Sequence, residues 1–178
     1  SVEGAIKIAR KYAHSNGRGG TIISMQKSFH GRTLATIATG KKKMQKGFGP
    51  MPSGFQKVPF NDIEAVRAAV TEEVAAIIIE PVQGEGGINV AKPCYLRALR
   101  ELCDKENIVL IFDEIQCGVG RTGELFAKDH YEVQPDIMTL AKGLGNGLPV
   151  GAILSNEKVS STIEFGDHGT TFGGNPMA

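Results

Sequence analysis

The chain has 178 residues, of which 41% are hydrophobic and 22% are charged, so it can bury the apolar core of an ordinary globular domain. Twenty Lys and Arg residues against 19 Asp and Glu residues give a formal net charge of +1, which argues against electrostatic capture of nucleic acid or of an anionic membrane. No apolar run reaches the roughly 18 residues that a membrane-spanning helix needs. These observations predict a soluble domain, or most of one.

The cysteines and histidines are few and scattered. The three cysteines form no Cys-x-x-Cys pair, and their odd number argues against a disulfide framework. No two of the four histidines have metal-ligand spacing. We therefore expect free thiols, no metal site and a reducing, cytoplasmic compartment.

The first third of the chain begins with a predicted amphipathic helix, whose stripe of small and apolar side chains consists of Ala5, Ile6, Ala9 and Ala13. A turn follows, and the β-branched run Thr21–Met25 predicts a buried strand. The connection from that strand to Pro59 is polar and contains Gly and Pro, so we assign no element to it. Next, Asn61 or Asp62 can cap a helix that continues to Val70.

The rest of the chain alternates between strands and a helix. Four apolar runs predict strands, and residues 94–106 have helical spacing; the predicted strands are Val74–Ile79, Ile108–Phe112, Asp136–Ala141 and Val150–Leu154. Strands that alternate with helices indicate an α/β fold of three layers, with helices on both faces of a mainly parallel, mixed sheet.

Three of these runs end in ionisable side chains, namely Glu80, Asp113 and Lys142. The loop after the first strand carries an aromatic and two basic residues: Phe29, His30 and Arg32. Ligands of open α/β sheets bind outside the carboxyl ends of the strands. We therefore expect these six side chains to converge on one site.

Two segments partly match phosphate-binding motifs but lack residues or neighbouring elements that those motifs require. Gly118–Gly123, "GVGRTG", matches the dinucleotide fingerprint, but polar residues separate it from the preceding strand, a poor helix follows it, and Lys142 occupies the expected acidic position. The Gly40–Lys41 pair fails as a phosphate loop, because Ala35 replaces the first glycine and Lys42 replaces the Ser or Thr.

Asp113 and Lys142 allow two interpretations. A carboxylate at the end of an apolar strand needs a positive partner, so the two side chains can form an ordinary buried ion pair. Alternatively, both can hold pyridoxal phosphate, which needs an acid at its ring nitrogen and an amine at its aldehyde. Desolvation would lower the pKa of Lys142 and make it a nucleophile, and the three glycines that follow would leave room for the cofactor, namely Gly143, Gly145 and Gly147.

Longer sequence motifs favour the cofactor site over the ion pair. The sequence resembles the class III (ω-amino acid) aminotransferases, pyridoxal-phosphate enzymes of fold type I, in the strings "SFHGRTLATIATG", "PFNDIEAV", "IIIEPVQGEGG", "LIFDEIQCGVGRTG", "DIMTLAKGLGNGLPVGA" and "HGTTFGGNP". The resemblance covers essentially all 178 residues. It implies that residues 1–178 are the central part of the cofactor-binding large domain, without its N-terminal segment and without the C-terminal small domain.

The resemblance also implies roles around the cofactor. Lys142 would form a Schiff base with pyridoxal phosphate and act as general acid and base. Asp113 would pair with the protonated ring nitrogen, Gln116 would donate a hydrogen bond to the phenolic oxygen, and Phe29 would stack on the ring. His30 would line the site without a further role.

Further residues would bind the substrate or a second subunit. Arg32 would grip the substrate carboxylate with its planar guanidinium. Glu85 would hold or release a second arginine, which belongs to the C-terminal small domain. Thr171, with Thr170 as the alternative, would bind the cofactor phosphate in the neighbouring subunit's site, which implies a homodimer.

Within the family, the strings are most similar to the branch that acts on N-acetylornithine. The implied reaction is transfer of its terminal amino group to 2-oxoglutarate by a ping-pong cycle, a step of arginine biosynthesis. Alternative donors are ornithine, N-succinylornithine, succinyl-diaminopimelate and 4-aminobutyrate. A non-catalytic α/β module that retains the motifs is the alternative from another class, and we expect these 178 residues alone to be inactive.

Overall fold

The computed structural model describes residues 1–178 and contains eight strands and five α-helices. The helices are α1 Val2–Ser15, α2 Leu34–Thr39, α3 Ile63–Ala69, α4 Pro93–Glu106 and α5 Glu157–Ser160. The strands are β1 Thr21–Met25, β2 Phe55–Val58, β3 Val74–Ile79, β4 Val82–Gln83, β5 Asn89–Val90, β6 Val109–Asp113, β7 Ile137–Leu140 and β8 Ala152–Ser155.

Six strands form the central sheet in the order β2-β1-β3-β6-β7-β8, and β4 pairs with β5 in a separate hairpin. All neighbours in the central sheet are parallel except β7 and β8, which are antiparallel. The predicted α/β class and the mainly parallel, mixed sheet are therefore confirmed.

The two faces of the sheet carry separate halves of the core. Along β3, Ile77 and Ile79 pack toward α3 and α4, whereas Ala76 and Ile78 pack toward α1. This alternation follows from the two-residue period of a strand, and it makes every β3 residue buried. The result is the predicted arrangement of three layers.

Several predicted boundaries are confirmed, and five short elements were not predicted, namely α2, β2, β4, β5 and α5. The strands Thr21–Met25 and Val74–Ile79 agree with the prediction, and Asp62 caps α3 by accepting a hydrogen bond from Ala65 N at 3.0 Å. The connection before Pro59 contains α2 and β2, so leaving it without elements was wrong. Local composition hides both: α2 is six residues rich in Thr, and β2 is an edge strand that is only partly buried.

No helix of the chain is both long enough and apolar enough to cross a membrane.

Candidate active site

The carboxyl ends of β3, β6 and β7 border a cavity of about 220 Å³. Nine residues line it: Phe29, His30, Gly31, Glu80, Asp113, Ile115, Gln116, Ala141 and Lys142. The strand ends and the loop after β1 therefore meet at one site, as is usual in open α/β sheets. Arg32, Glu85, Thr170 and Thr171 do not line this cavity.

Asp113, the last residue of β6, is the most constrained polar side chain of the site. Its Oδ2 lies 2.7 Å from His30 Nδ1, and its Oδ1 accepts hydrogen bonds from Ile115 N and Thr139 Oγ1, both at 3.1 Å. Its exposed fraction is 4%. The hypothesis of an ordinary ion pair with Lys142 is wrong, because the positive partner of Asp113 is His30.

His30 does more than line the cavity. Its side chain is fully buried, and burial acts to lower its pKa, but the hydrogen bond and the charge of Asp113 outweigh burial and raise the pKa above its ordinary value. The raised pKa favours the imidazolium form, which neutralises the carboxylate. Its Nε2 is buried without a hydrogen-bond partner.

Glu80 organises the loop that carries Phe29 and His30. It follows β3, is buried, and accepts a hydrogen bond from Phe29 N at 3.0 Å through Oε2. Its pKa is raised to about 7, mainly by burial and also by the charge of Asp113, while His30, the Phe29 N–H and Lys142 partly oppose these effects. Glu80 is thus poised to hold a proton close to Asp113 and Lys142.

Lys142 lies two residues beyond β7 and begins a short 3-10 helix, Lys142–Gly145. Its φ is 47°, a left-handed conformation that costs a side-chain-bearing residue roughly 1–2 kcal/mol. Its amine makes no hydrogen bond and no salt bridge, and the side chain is exposed in this chain. The expectation that an apolar setting desolvates it was therefore wrong, because the surrounding residues of this one chain leave it open.

The glycines near the site differ in whether their backbone conformation or their neighbouring atoms would oppose a side chain. Gly147 has a φ of +104°, which side chains rarely adopt, whereas a Cβ at Gly143 or Gly145 would meet only ordinary contacts at 3.5–3.6 Å. A Cβ at Gly84 would lie 2.4 Å from the side chain of Gln116. Gly84 therefore provides the space in which the Gln116 amide reaches the cavity.

The segment Gly118–Gly123 does not connect a strand to a helix. Glu114, fully buried and not singled out in the sequence, accepts hydrogen bonds from Ala127 N at 2.7 Å and Lys128 N at 2.8 Å. It thereby anchors the far end of this loop at the 3-10 helix Ala127–His130. The arrangement lacks the helix that a dinucleotide pyrophosphate needs, as predicted from the sequence.

Arg32 and Glu85 lie outside the cavity. The Arg32 guanidinium lies over the Phe29 ring, 5.6 Å from its centroid, and has no acidic partner. Glu85 Oε2 lies 2.5 Å from Lys41 Nζ. Thr170 and Thr171 are exposed in the C-terminal segment.

The cavity residues fit pyridoxal phosphate. The Asp113 carboxylate, held and neutralised by His30, can receive a protonated ring nitrogen at the buried end of the cavity. The Lys142 amine is unpaired at the same cavity, and the buried His30 Nε2 lacks a partner. An acid and a free amine are the two groups that this cofactor needs at opposite ends of its ring.

Comparison with known proteins decides the family. The family model described as "Aminotransferase class-III" matches residues 1–178. The chain belongs to the class III aminotransferases.

Two curated members of the class III aminotransferases are close in sequence. The acetylornithine aminotransferase of Methanocaldococcus jannaschii is 62% identical over 99% of this chain. The acetylornithine aminotransferase of Caldanaerobacter subterraneus subsp. tengcongensis is 55% identical, also over 99%. The chain spans 45% of the length of each of these relatives.

A solved structure agrees with this membership. The ornithine aminotransferase from Toxoplasma gondii, whose active site contains pyridoxal phosphate at partial occupancy, superimposes with a TM-score of 0.93 at 40% identity. The match covers 99% of this chain and 43% of that structure. The fold of this class III aminotransferase chain is therefore that of its solved relatives.

Proposed function

We propose that the complete protein is a pyridoxal-phosphate aminotransferase that moves the terminal amino group of N-acetylornithine to 2-oxoglutarate. In this proposal residues 1–178 are the central part of the large domain. One observation carries the chemistry: the cavity combines the buried Asp113–His30 pair with the unpaired amine of Lys142. The similarity to two acetylornithine aminotransferases supports the substrate.

When bound, pyridoxal phosphate supplies an aldehyde that accepts the amino group and a protonated ring that withdraws electrons from the reacting carbon. Asp113 keeps the proton on the ring nitrogen, and His30 and Thr139 hold its two carboxylate oxygens in place. Because Asp113 is buried, its charge acts on that proton with little screening by water.

In the proposed reaction Lys142 acts as both the general base and the general acid. Its amine would hold the cofactor through the aldehyde, and once free it would take a proton from the substrate carbon that bears the amino group. The same amine would then give that proton back, so that the shift involves no net gain or loss of protons. The left-handed φ of Lys142 sets the direction in which the side chain leaves the backbone.

Gln116, Phe29 and Arg32 orient the reactants. Gln116 reaches the cavity with an amide that can donate to the phenolic oxygen, and Phe29 presents a ring face on which the cofactor can stack. Arg32 offers two parallel N–H donors to a substrate carboxylate. A lysine in its place would lack this paired geometry.

We include a homodimer and a cytoplasmic location in the proposal. Thr170 and Thr171 lie away from this chain's cavity, which fits a role in a partner's site. The three cysteines are free thiols, and Cys94 is exposed, which fits a reducing compartment.

A panel of amino donors tests the proposed substrate. We expect the complete, cofactor-loaded protein to form glutamate from 2-oxoglutarate with a kcat/KM for N-acetylornithine at least about tenfold above that for ornithine, because the second charged amine of ornithine must be desolvated. N-succinylornithine, succinyl-diaminopimelate and 4-aminobutyrate complete the panel. A preference for ornithine would favour the second candidate, to which the Toxoplasma similarity points, and no reaction with any donor would favour a non-catalytic module.

A further inference from the structure

The β4–β5 hairpin, residues Val82–Val90, packs against Gln116, a residue that lines the cavity. The two meet at Gly84. A Cβ at this position would lie 2.4 Å from both Cδ and Oε1 of Gln116 and 2.7 Å from its Nε2. Real Cβ atoms do not approach other heavy atoms so closely, so only glycine allows the hairpin and the Gln116 amide to occupy these positions together.

Hydrogen bonds within the chain do not fix the Gln116 amide. Gln116 is an exposed residue of the turn after β6, and its side chain makes no hydrogen bond. The side chain has several rotatable bonds, so the amide can adopt another rotamer if a neighbouring atom displaces it. The close contact with Gly84 therefore limits where the amide points.

The hairpin, in contrast, is anchored to the domain at several points. Gln83 is fully buried, its Nε2 donates to the Gln26 carbonyl oxygen at 2.9 Å, and its Oε1 accepts from Asn89 Nδ2 at 3.1 Å. A Cβ at Gly86 would lie 2.7 Å from the Lys27 carbonyl oxygen, so the hairpin backbone also lies close against the loop after β1. A methyl group added where the hairpin meets the glutamine amide would therefore move the amide and leave the hairpin in place.

We propose that Gly84 is a positioning residue, because the anchored hairpin, bare at this point, leaves the Gln116 amide in the place from which it donates to the phenolic oxygen of pyridoxal phosphate. This inference rests on the proposed function, since it assumes that the cofactor occupies the cavity and that Gln116 is the donor. A hydrogen bond to the phenolic oxygen stabilises its ionised form. Loss of the donor therefore raises the pH at which this oxygen and the nitrogen of Lys142 lose the proton that they share.

Absorption spectra of the complete, cofactor-loaded protein test the inference without turnover. The visible band of the cofactor changes when the shared proton is lost, so a pH titration of the band measures the midpoint directly. We expect Gly84→Ala to raise the midpoint by about one pH unit and Gln116→Ala to raise it equally, because each change removes one hydrogen bond to a charged oxygen. The double variant should show no further rise, because both changes remove the same interaction.

Thermal unfolding of the same proteins shows which group moves. In Gly84→Ala we expect the Tm to stay within about 2 °C of wild type, because the end of a flexible side chain gives way. Gly86→Ala should lower the Tm by more than about 4 °C, because its Cβ would meet a backbone oxygen that cannot move alone.

Gly20→Ala is the matched control for both measurements. Gly20 directly precedes β1, at the edge of the sheet opposite the cavity, and its Cβ would meet no atom closer than 3.4 Å. This substitution should leave the midpoint and the Tm unchanged.

The inference would be overturned by an unchanged midpoint in Gly84→Ala or Gln116→Ala, by a further rise in the double variant, by a loss of Tm in Gly84→Ala as large as that in Gly86→Ala, or by a wild-type protein without a titrating cofactor band. Failure of the proposed function looks different. A wild-type protein whose band titrates but that forms no glutamate from any donor would refute the aminotransferase, while the midpoints of the variants would still decide the role of Gly84.

Discussion

The buried carboxylate of Asp113 depends on His30 for its counter-charge. Replacing His30 by Phe leaves that carboxylate without a cation, and we expect the free energy of unfolding of the cofactor-free protein to fall by about 3 kcal/mol near neutral pH. Because the pKa of His30 is raised, its stabilising effect is complete below about pH 6.5 and is lost as pH rises through the folded-state pKa. Urea unfolding of both proteins at pH 6 and pH 9 measures this. A loss that does not shrink at pH 9 would contradict a charged pair.

Ionisation of the buried Glu80 carboxyl destabilises the fold. Its pKa is raised to about 7, mainly by burial, so its contribution to stability is greatest below its ordinary value of 4.5 and falls as pH rises to about 7. Glu80→Gln keeps an acceptor for Phe29 N but carries no charge. We expect the variant to gain stability relative to wild type between pH 5 and pH 8, by up to about 3 kcal/mol. Thermal unfolding of both proteins at several pH values measures this difference. A stability that changes with pH in the same way in the two proteins would contradict the expectation.

At this scale, the sequence predicted where ionisable side chains lie better than it predicted their partners. Glu80, Asp113 and Lys142 were placed correctly at strand ends, because a long apolar run that stops at a charged residue marks the edge of a buried sheet. The His30–Asp113 bond could not be predicted, since it depends on the path of the loop after β1. The exposure of Lys142 was missed because it depends on how the folded chain packs around the end of β7.

At the scale of elements, Asp136 directly precedes β7, and its side chain connects this strand with α4, β6 and α5. Its carboxylate accepts hydrogen bonds from Arg100 of α4 at 2.9 Å, from Leu110 N of β6 at 2.8 Å and from Asn156, the cap of α5, at 2.8 Å. We expect Asp136→Ala to lower the free energy of unfolding by about 3 kcal/mol, because it leaves Arg100 and two other donors without their acceptor.

Asp104 provides the matched control for that prediction. It also pairs with Arg100, at 2.7 Å, but its side chain is 63% exposed. Asp104→Ala should therefore cost less than about 0.5 kcal/mol in the same denaturation measurement. Equal losses in the two variants would show that Arg100 alone, and not the network around Asp136, holds these elements together.

The elements that were predicted and those that were missed differ in burial. β3 is buried along its whole length, so its composition alone marks it as a strand. β2 has the sequence "FQKV" and is a partly buried edge strand, and its pairing with β1 supplies the stabilisation that its composition does not. The antiparallel direction of β8 likewise depends on the chain's return across β7, which no local pattern encodes.

At the scale of the whole molecule, the proposal needs two subunits for each site, because Thr171 is exposed and away from the cavity of its own chain. In a hybrid dimer of a Lys142→Ala subunit and a Thr171→Ala subunit, one site has both residues intact. We expect two nearly inactive parents to regain about a quarter of wild-type activity after mixed refolding, if subunits pair at random. Activity no higher than the average of the parents would place Thr171 outside the neighbouring site.

Reductive trapping tests most directly whether the Lys142 amine holds the cofactor at the Asp113 cavity. The complete, cofactor-loaded protein is treated with borohydride, digested and analysed by mass spectrometry. We predict that the phosphopyridoxyl group is found on the peptide that contains Lys142 and that Lys142→Arg, which keeps the charge, carries none. Label on another lysine, or unchanged labelling of the variant, would show that Lys142 does not hold the cofactor.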